Sequence, residues 1–187
     1  FGSGPTGPID TNDQQFMGRS DQNLKLFVLD LQTGPASPVT IIDTNIANAF
    51  AGSLFSATLD PDLDYQDDVL YVPYVKKDTT VTPPTWTDGG VGRLSTKENL
   101  SPSNWEWSTV VDGIGHVTSA VSKLVSRSTQ KLWLFFGTGR YFYEKTNDTD
   151  DGASPRSIYG VKDPCYDLDG FDPGCTDDVD DGALDNV

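Results

Sequence analysis

The chain has 187 residues, enough for one domain with a sizeable core, and its 13 basic against 28 acidic residues leave a net charge of -15. That balance excludes nucleic-acid binding through a basic patch, which needs lysines and arginines to displace phosphate counterions. No run of 18 apolar residues occurs, so no transmembrane helix is expected, and the opening "FGSGPTGPID" lacks the basic start and apolar stretch of a signal peptide.

Only three of the acids are glutamates (Glu98, Glu106 and Glu144); the rest are aspartates, accompanied by 18 Gly and 12 Pro. Glutamate suits helix faces, whereas aspartate suits turns, caps and compact oxygen cages around hard cations. An all-β chain with ordered loops is the expectation. Its first residues, "FGSGP" (1–5), read as a strand end whose preceding strand is missing, as in a processed piece of a longer protein.

Period-2 segments rich in Val, Leu, Phe, Tyr and Trp follow, separated by Gly, Pro, Asn or Asp clusters. "LKLFVLDL" (24–31) and "VTIID" (39–43) flank a turn at "DLQTG" (30–34), with Gly34 placed for positive φ. "NIANAFAGSLFSA" (45–57) accommodates either a helical turn or a strand. Further strands are expected at "DVLYVPYV" (68–75), "WEWSTVV" (105–111), "SAVSKLV" (119–125) and "KLWLFFGTG" (131–139). "FGTGR" (136–140) repeats the opening "FGSGP" 135 residues later. Short strands with a repeated terminal motif suggest two or three blades of a β-propeller over residues 1–163. Such an arc has open edges and calls for neighbouring blades elsewhere in a parent protein. Residues 164–187 read as an acidic, irregular tail, in which Cys165 and Cys175 close a disulfide if the protein is exported and are otherwise free thiols. Within it "DLDGFD" (167–172) and "DDVDDGALD" (177–185) carry carboxylates in no regular ligand register, and solvated acidity is the expectation there.

The loop "DPDLDYQDD" (60–68) holds five aspartates and no base. Asp60, Asp62, Asp64 and Asp68 stand at positions 1, 3, 5 and 9 of a loop whose position 7 is Gln66. A tightly curled loop with that spacing turns carboxylates inward and offers a backbone carbonyl at position 7, the ligand pattern of a Ca²⁺ site. An EF-hand loop has Gly at position 6, where this chain has Tyr65, and neither flank reads as a helix. A solvated turn is the plainer alternative.

For catalysis the chain offers little. His116 is the only histidine, a GxSxG elbow is absent, and the three glutamates show no glycosidase spacing. "GTGR" (137–140) lacks the phosphate-loop lysine and precedes no helix. Trp86, Trp105, Trp107 and Trp133 are expected to pack between strands.

Together "LFVLDLQTG", "DPDLDYQDDVLYVPYV", "GGVGRLSTKE", "KLWLFFGTGRYF" and "SIYGVKDPC" resemble, over most of residues 1–165, the C-terminal β-propeller of the PilY-type proteins of bacterial type IV pili. The resemblance implies a quinoprotein-like propeller with a calcium loop, extracellular at the pilus tip or outer surface of a Gram-negative cell. It further implies a role in pilus biogenesis and adhesion, with pilins, the remaining blades and a host or abiotic surface as partners. Carried over by position, its Ca²⁺ ligands are Asp60, Asp62, Asp64, the Gln66 carbonyl and Asp68. The competing expectation is a fragment of a quinoprotein-like oxidoreductase.

Overall fold

The structure, a computed structural model, describes residues 1–6, 18–32, 34, 39–82, 84–126, 128–139 and 156–179. These are all-β, with a turn of 3-10 helix at Pro102–Asn104. Among them the strands close neither a barrel nor a propeller. Strands β3 (Ala49–Ala51), β4 (Thr58–Leu59), β5 (Val69–Asp78), β6 (Thr85–Ser95) and β7 (Glu106–Asp112) form the central antiparallel sheet, in which β3 and β4 share one edge of β5. A hairpin of β1 (Lys25–Val28) and β2 (Thr40–Asp43) forms a second sheet, and β8 (Ser122–Ser126), β9 (Lys131–Gly137) and β10 (Ile158–Lys162) a third. A short hairpin follows, of β11 (Tyr166–Asp167) and β12 (Gly170–Phe171).

The central sheet is apolar on both faces. Alternate residues of a strand point to opposite sides, and in β5 both sets are buried. Val69 and Tyr71 join Leu132, Leu134, Phe136 and Val161 of the third sheet in one core cluster. Val72 packs with Leu26 and Leu94, and Tyr74 with Leu24 and Ala49. This two-sided burial is why "VLYVPYV" is an almost unbroken apolar run.

Sequence patterning missed β6, the longest strand, because its "DGGVG" stretch looks like a loop. The glycines serve packing. A Cβ on Gly92 would lie 2.0 Å from the Trp107 ring, and one on Gly90 2.1 Å from the Val111 carbonyl oxygen. The indole can lie across β6 only where that strand has no side chain. No helix forms over 45–57, which instead supplies β3 and the start of the link to β4. Gly34 has the expected positive φ, 63°, and its N–H donates to the Asp30 carbonyl at 3.1 Å.

The two FGxG motifs make similar contacts. Gly2 bridges antiparallel to Leu26, and Gly137 pairs antiparallel with Ile158, so each motif joins a strand that follows it by a similar interval. The N–H groups of Ser3 and Thr138 then donate to the carbonyls of Lys25 and Ser157, both at 2.8 Å. Arg140, which ends the second motif, lies outside the described residues, as do Glu144 and positions 180–185.

Residues 163–179 are built onto the core. Asp163 and Arg93 are fully buried and ion-paired, and the Tyr71 hydroxyl donates to the second Asp163 oxygen. The Cys165 N–H donates to Asp163 Oδ1 at 2.8 Å, and Arg93 Nη2 donates to the Asp177 carbonyl at 2.9 Å. Cys165 and Cys175 are disulfide-bonded. Breaking one side of a buried ion pair typically costs roughly 3–5 kcal/mol, and opening a loop this short roughly 2–3 kcal/mol. Urea titration should therefore find Arg93→Met and the Cys165→Ser/Cys175→Ser double variant destabilised by about those amounts, with the greater loss in Arg93→Met.

Candidate metal centre

The aspartate loop is the connection of the β4–β5 hairpin. Leu59 pairs with Val69, and the Asp68 N–H donates to the Leu59 carbonyl at 3.0 Å, so the loop's two ends are held side by side. The Asp68 carbonyl also accepts from the Thr96 N–H at 2.8 Å, just beyond β6. Asp68 is thus fixed by strands on both sides, and the loop curls back toward it.

Aspartate side chains bonded to the loop's own backbone produce the curl. Asp60 accepts from the N–H groups of Leu63 (2.7 Å) and Tyr65 (2.9 Å). Asp62 accepts from the Asp64 N–H at 3.2 Å, and Asp64 from that of Gln66 at 2.8 Å. Leu63 and Tyr65 take positive φ values of 66° and 72°. Tyr65 therefore adopts at position 6 the left-handed backbone that glycine usually supplies. Its side chain is 98% exposed, so the bulk meets no neighbour.

The fold brings three of the predicted residues together: one carboxylate oxygen each from Asp60, Asp62 and Asp68 lie within 4.8 Å of one another. Such a group could hold a metal ion. Asp64 stands outside it, its second oxygen accepting from Gln66 Nε2 at 2.8 Å. The donor set is entirely oxygen, which fits a hard cation and not a thiolate- or imidazole-seeking metal. Asp68 decides between ion and water. It is only 6% exposed, yet no described residue donates a hydrogen bond to its carboxylate. Burial foremost, then the charges of Asp62, Glu98, Asp60 and Asp64, push its pKa from 3.8 to about 6. A buried carboxylate among like charges is costly unless a proton or a cation compensates it.

The acids near the C-terminus behave differently. Asp167 and Asp172 accept from the N–H groups of Asp169 (2.9 Å) and Gly174 (2.8 Å), capping turns as solvated aspartates do. His116 is 6% exposed, with Nδ1 3.4 Å from the Thr87 carbonyl, and Glu106 pairs with Lys97. Trp86 packs with Phe50 and Val75, Trp105 and Trp107 against the Leu26 cluster, and Trp133 stacks on Phe135. No protein-family model, curated protein or solved structure matches the chain.

A carboxyl whose pKa is raised on folding contributes stability below the unfolded value, and that contribution is lost as pH rises through the folded value. In chelator, the melting temperature of the wild type should therefore fall more steeply than that of Asp68→Asn between pH 4 and 7. Equal slopes would show that the Asp68 carboxyl is not held protonated by its surroundings.

Proposed function

We propose that this chain is a calcium-binding, non-enzymatic segment of a quinoprotein-like β-propeller, acting outside the cytoplasm at the tip of type IV pili in their biogenesis and in adhesion. The observation that carries the calcium reading is the meeting of Asp60, Asp62 and Asp68 around a loop whose sixth residue has the left-handed backbone of a calcium loop. Ca²⁺ takes six to eight oxygens at about 2.3–2.6 Å. Three carboxylates, the Gln66 carbonyl and Asp64, turned from its bond to the Gln66 amide, supply most of that shell, with water completing it. The irregular loop suits Ca²⁺ better than the stricter octahedron of Mg²⁺.

Three observations support the propeller and the setting. The sheets are antiparallel meanders, the two FGxG motifs pair alike with the strands that follow them, and the Cys165–Cys175 disulfide fits an oxidising compartment. Packing of all four tryptophans among core or stacked side chains supports a structural over a cofactor-binding role for them. The pilus assignment rests on the sequence resemblance.

Calorimetry in chelator-treated buffer should give one exothermic or entropy-driven Ca²⁺ event per chain, absent in Asp62→Asn and in Asp68→Asn. At 100 times the dissociation constant the ion should add about 2.7 kcal/mol to stability. No binding up to millimolar Ca²⁺ would overturn the calcium reading. Immunogold label concentrated at pilus ends is the expected distribution of the parent protein, and label confined to the cell interior would overturn the setting.

A further inference from the structure

Beside the aspartate loop lies a groove of about 320 Å³ whose polar chemistry is one-sided. Its floor is apolar: Leu70, Leu94 and the Trp105 ring, all in the Leu26 cluster. Its charged lining residues are Asp67 and Glu98, and no lysine or arginine lines it. Most of its side-chain donors are already spent. The Thr96 hydroxyl donates to the Asp67 carbonyl at 2.8 Å, Trp105 Nε1 to the Asn99 carbonyl at 2.7 Å, and Gln66 Nε2 to Asp64. Lys123, whose pKa burial lowers against the opposing pull of Asp67, is held by the Ser56 and Thr58 carbonyls. Glu98 has no partner among the hydrogen bonds and ion pairs of the described residues, and its charge is felt at Asp68.

We propose that this groove is a docking site for a lysine or arginine side chain of a protein partner, and it is independent of the metal reading. A cavity with an apolar, partly aromatic floor and unpaired acceptors fits a ligand that is apolar along its length and carries donors and positive charge at its end. Both basic side chains have that form, and the guanidinium also matches a carboxylate in two-point geometry. A volume near 300 Å³ is at the small end for binding cavities and has room for one such side chain. A second copy of this chain is a poor occupant, since each copy carries a net charge of -15.

The test uses the full chain in saturating Ca²⁺, with acetyl-Gly-Arg-Gly-amide as probe and its citrulline counterpart, which keeps the shape and removes the charge. Binding is read from the Trp105 indole N–H in ¹H–¹⁵N spectra, assigned with Trp105→Phe. The arginine peptide should shift this signal saturably and the citrulline peptide should not. Glu98→Gln should weaken the arginine peptide about fivefold, while Asp62→Asn, which disables the loop, should leave its binding in place. Equal response to both peptides, no response to either, or loss of binding in Asp62→Asn with retention in Glu98→Gln would each overturn the proposal. The last result would place the cation in the loop and leave the calcium reading standing.

Discussion

The buried pair of Arg93 and Asp163 is the constraint around which the described structure is organised. Neither charge is accessible to water, so each depends on partners within the protein, although Arg93 Nε is buried with none among the described residues. Asp163 is met by Arg93 from β6, the Tyr71 hydroxyl from β5 and the Cys165 N–H. Arg93 in turn donates to the Asp177 carbonyl, and neighbouring Ser95 to the Pro173 carbonyl at 2.9 Å. The central sheet, the end of β10 and the disulfide loop are therefore tied at one place. Replacing both charges by an apolar pair of the same volume is often neutral or stabilising, whereas removing one partner alone leaves the other charge buried and uncompensated.

Tyr71 and Asp68 lie three residues apart on one chain segment, and this links the buried pair to the metal loop. Strand β5 runs through both cores, and its start is clamped by β4 and by Thr96. The backbone of Asp68 is consequently fixed by strands on both sides, whereas Asp60 and Asp62 sit on a loop shaped by their own backbone contacts. The aspartates of this chain thus divide by environment. Those with a nearby N–H and open solvent, such as Asp167 and Asp172, terminate turns and need nothing more. Asp163 is neutralised by a buried arginine. Asp68 is buried, crowded by like charges and met by no donor among the described residues, and this difference from its neighbours, more than the number of acids in the loop, is what a proton or a cation would compensate.

Much of this was legible in the sequence where the determinants are local. The period-2 strands, the turn at Gly34 and the approach of Asp60, Asp62 and Asp68 follow from residues a few positions apart, whereas Asp64, expected with them, stands outside the group. The loop's left-handed Tyr65 was legible as a requirement of position 6, though its residue type spoke against it. Strand β6 was hidden because its glycines answer to Trp107, a neighbour on another strand. The partnership of Arg93 with Asp163 was hidden for a similar reason: 70 residues separate them, and each looks ordinary, one in a glycine-rich stretch and the other at the head of an acidic run. That run reads as unstructured by composition, yet its first half is held by a disulfide and by Arg93, neither of which composition registers. Burial of Asp68 and the spending of donors around Trp105 are likewise properties of contacts between strands.

The loop and the groove share a wall, since Gln66 and Asp67, which line the groove, stand between Asp62 and Asp68 of the carboxylate group, and Glu98 is felt at Asp68. Two effects of opposite sign then act between a cation in the loop and one in the groove. An ion held by the loop would offset negative charge close to Glu98 and lower the attraction for a second cation. An ion that drew Asp64 from its bond to Gln66 Nε2 would also order the Gln66–Asp67 wall, reducing what a ligand must fix on entering. Whichever effect is larger, reciprocity requires that a groove ligand change the loop's affinity for the ion by the same factor that the ion changes the groove's affinity for the ligand. With a cation in each place, ionic strength would weaken the repulsive effect and leave the ordering effect largely intact. Rising salt therefore moves the coupling toward cooperation between the two sites.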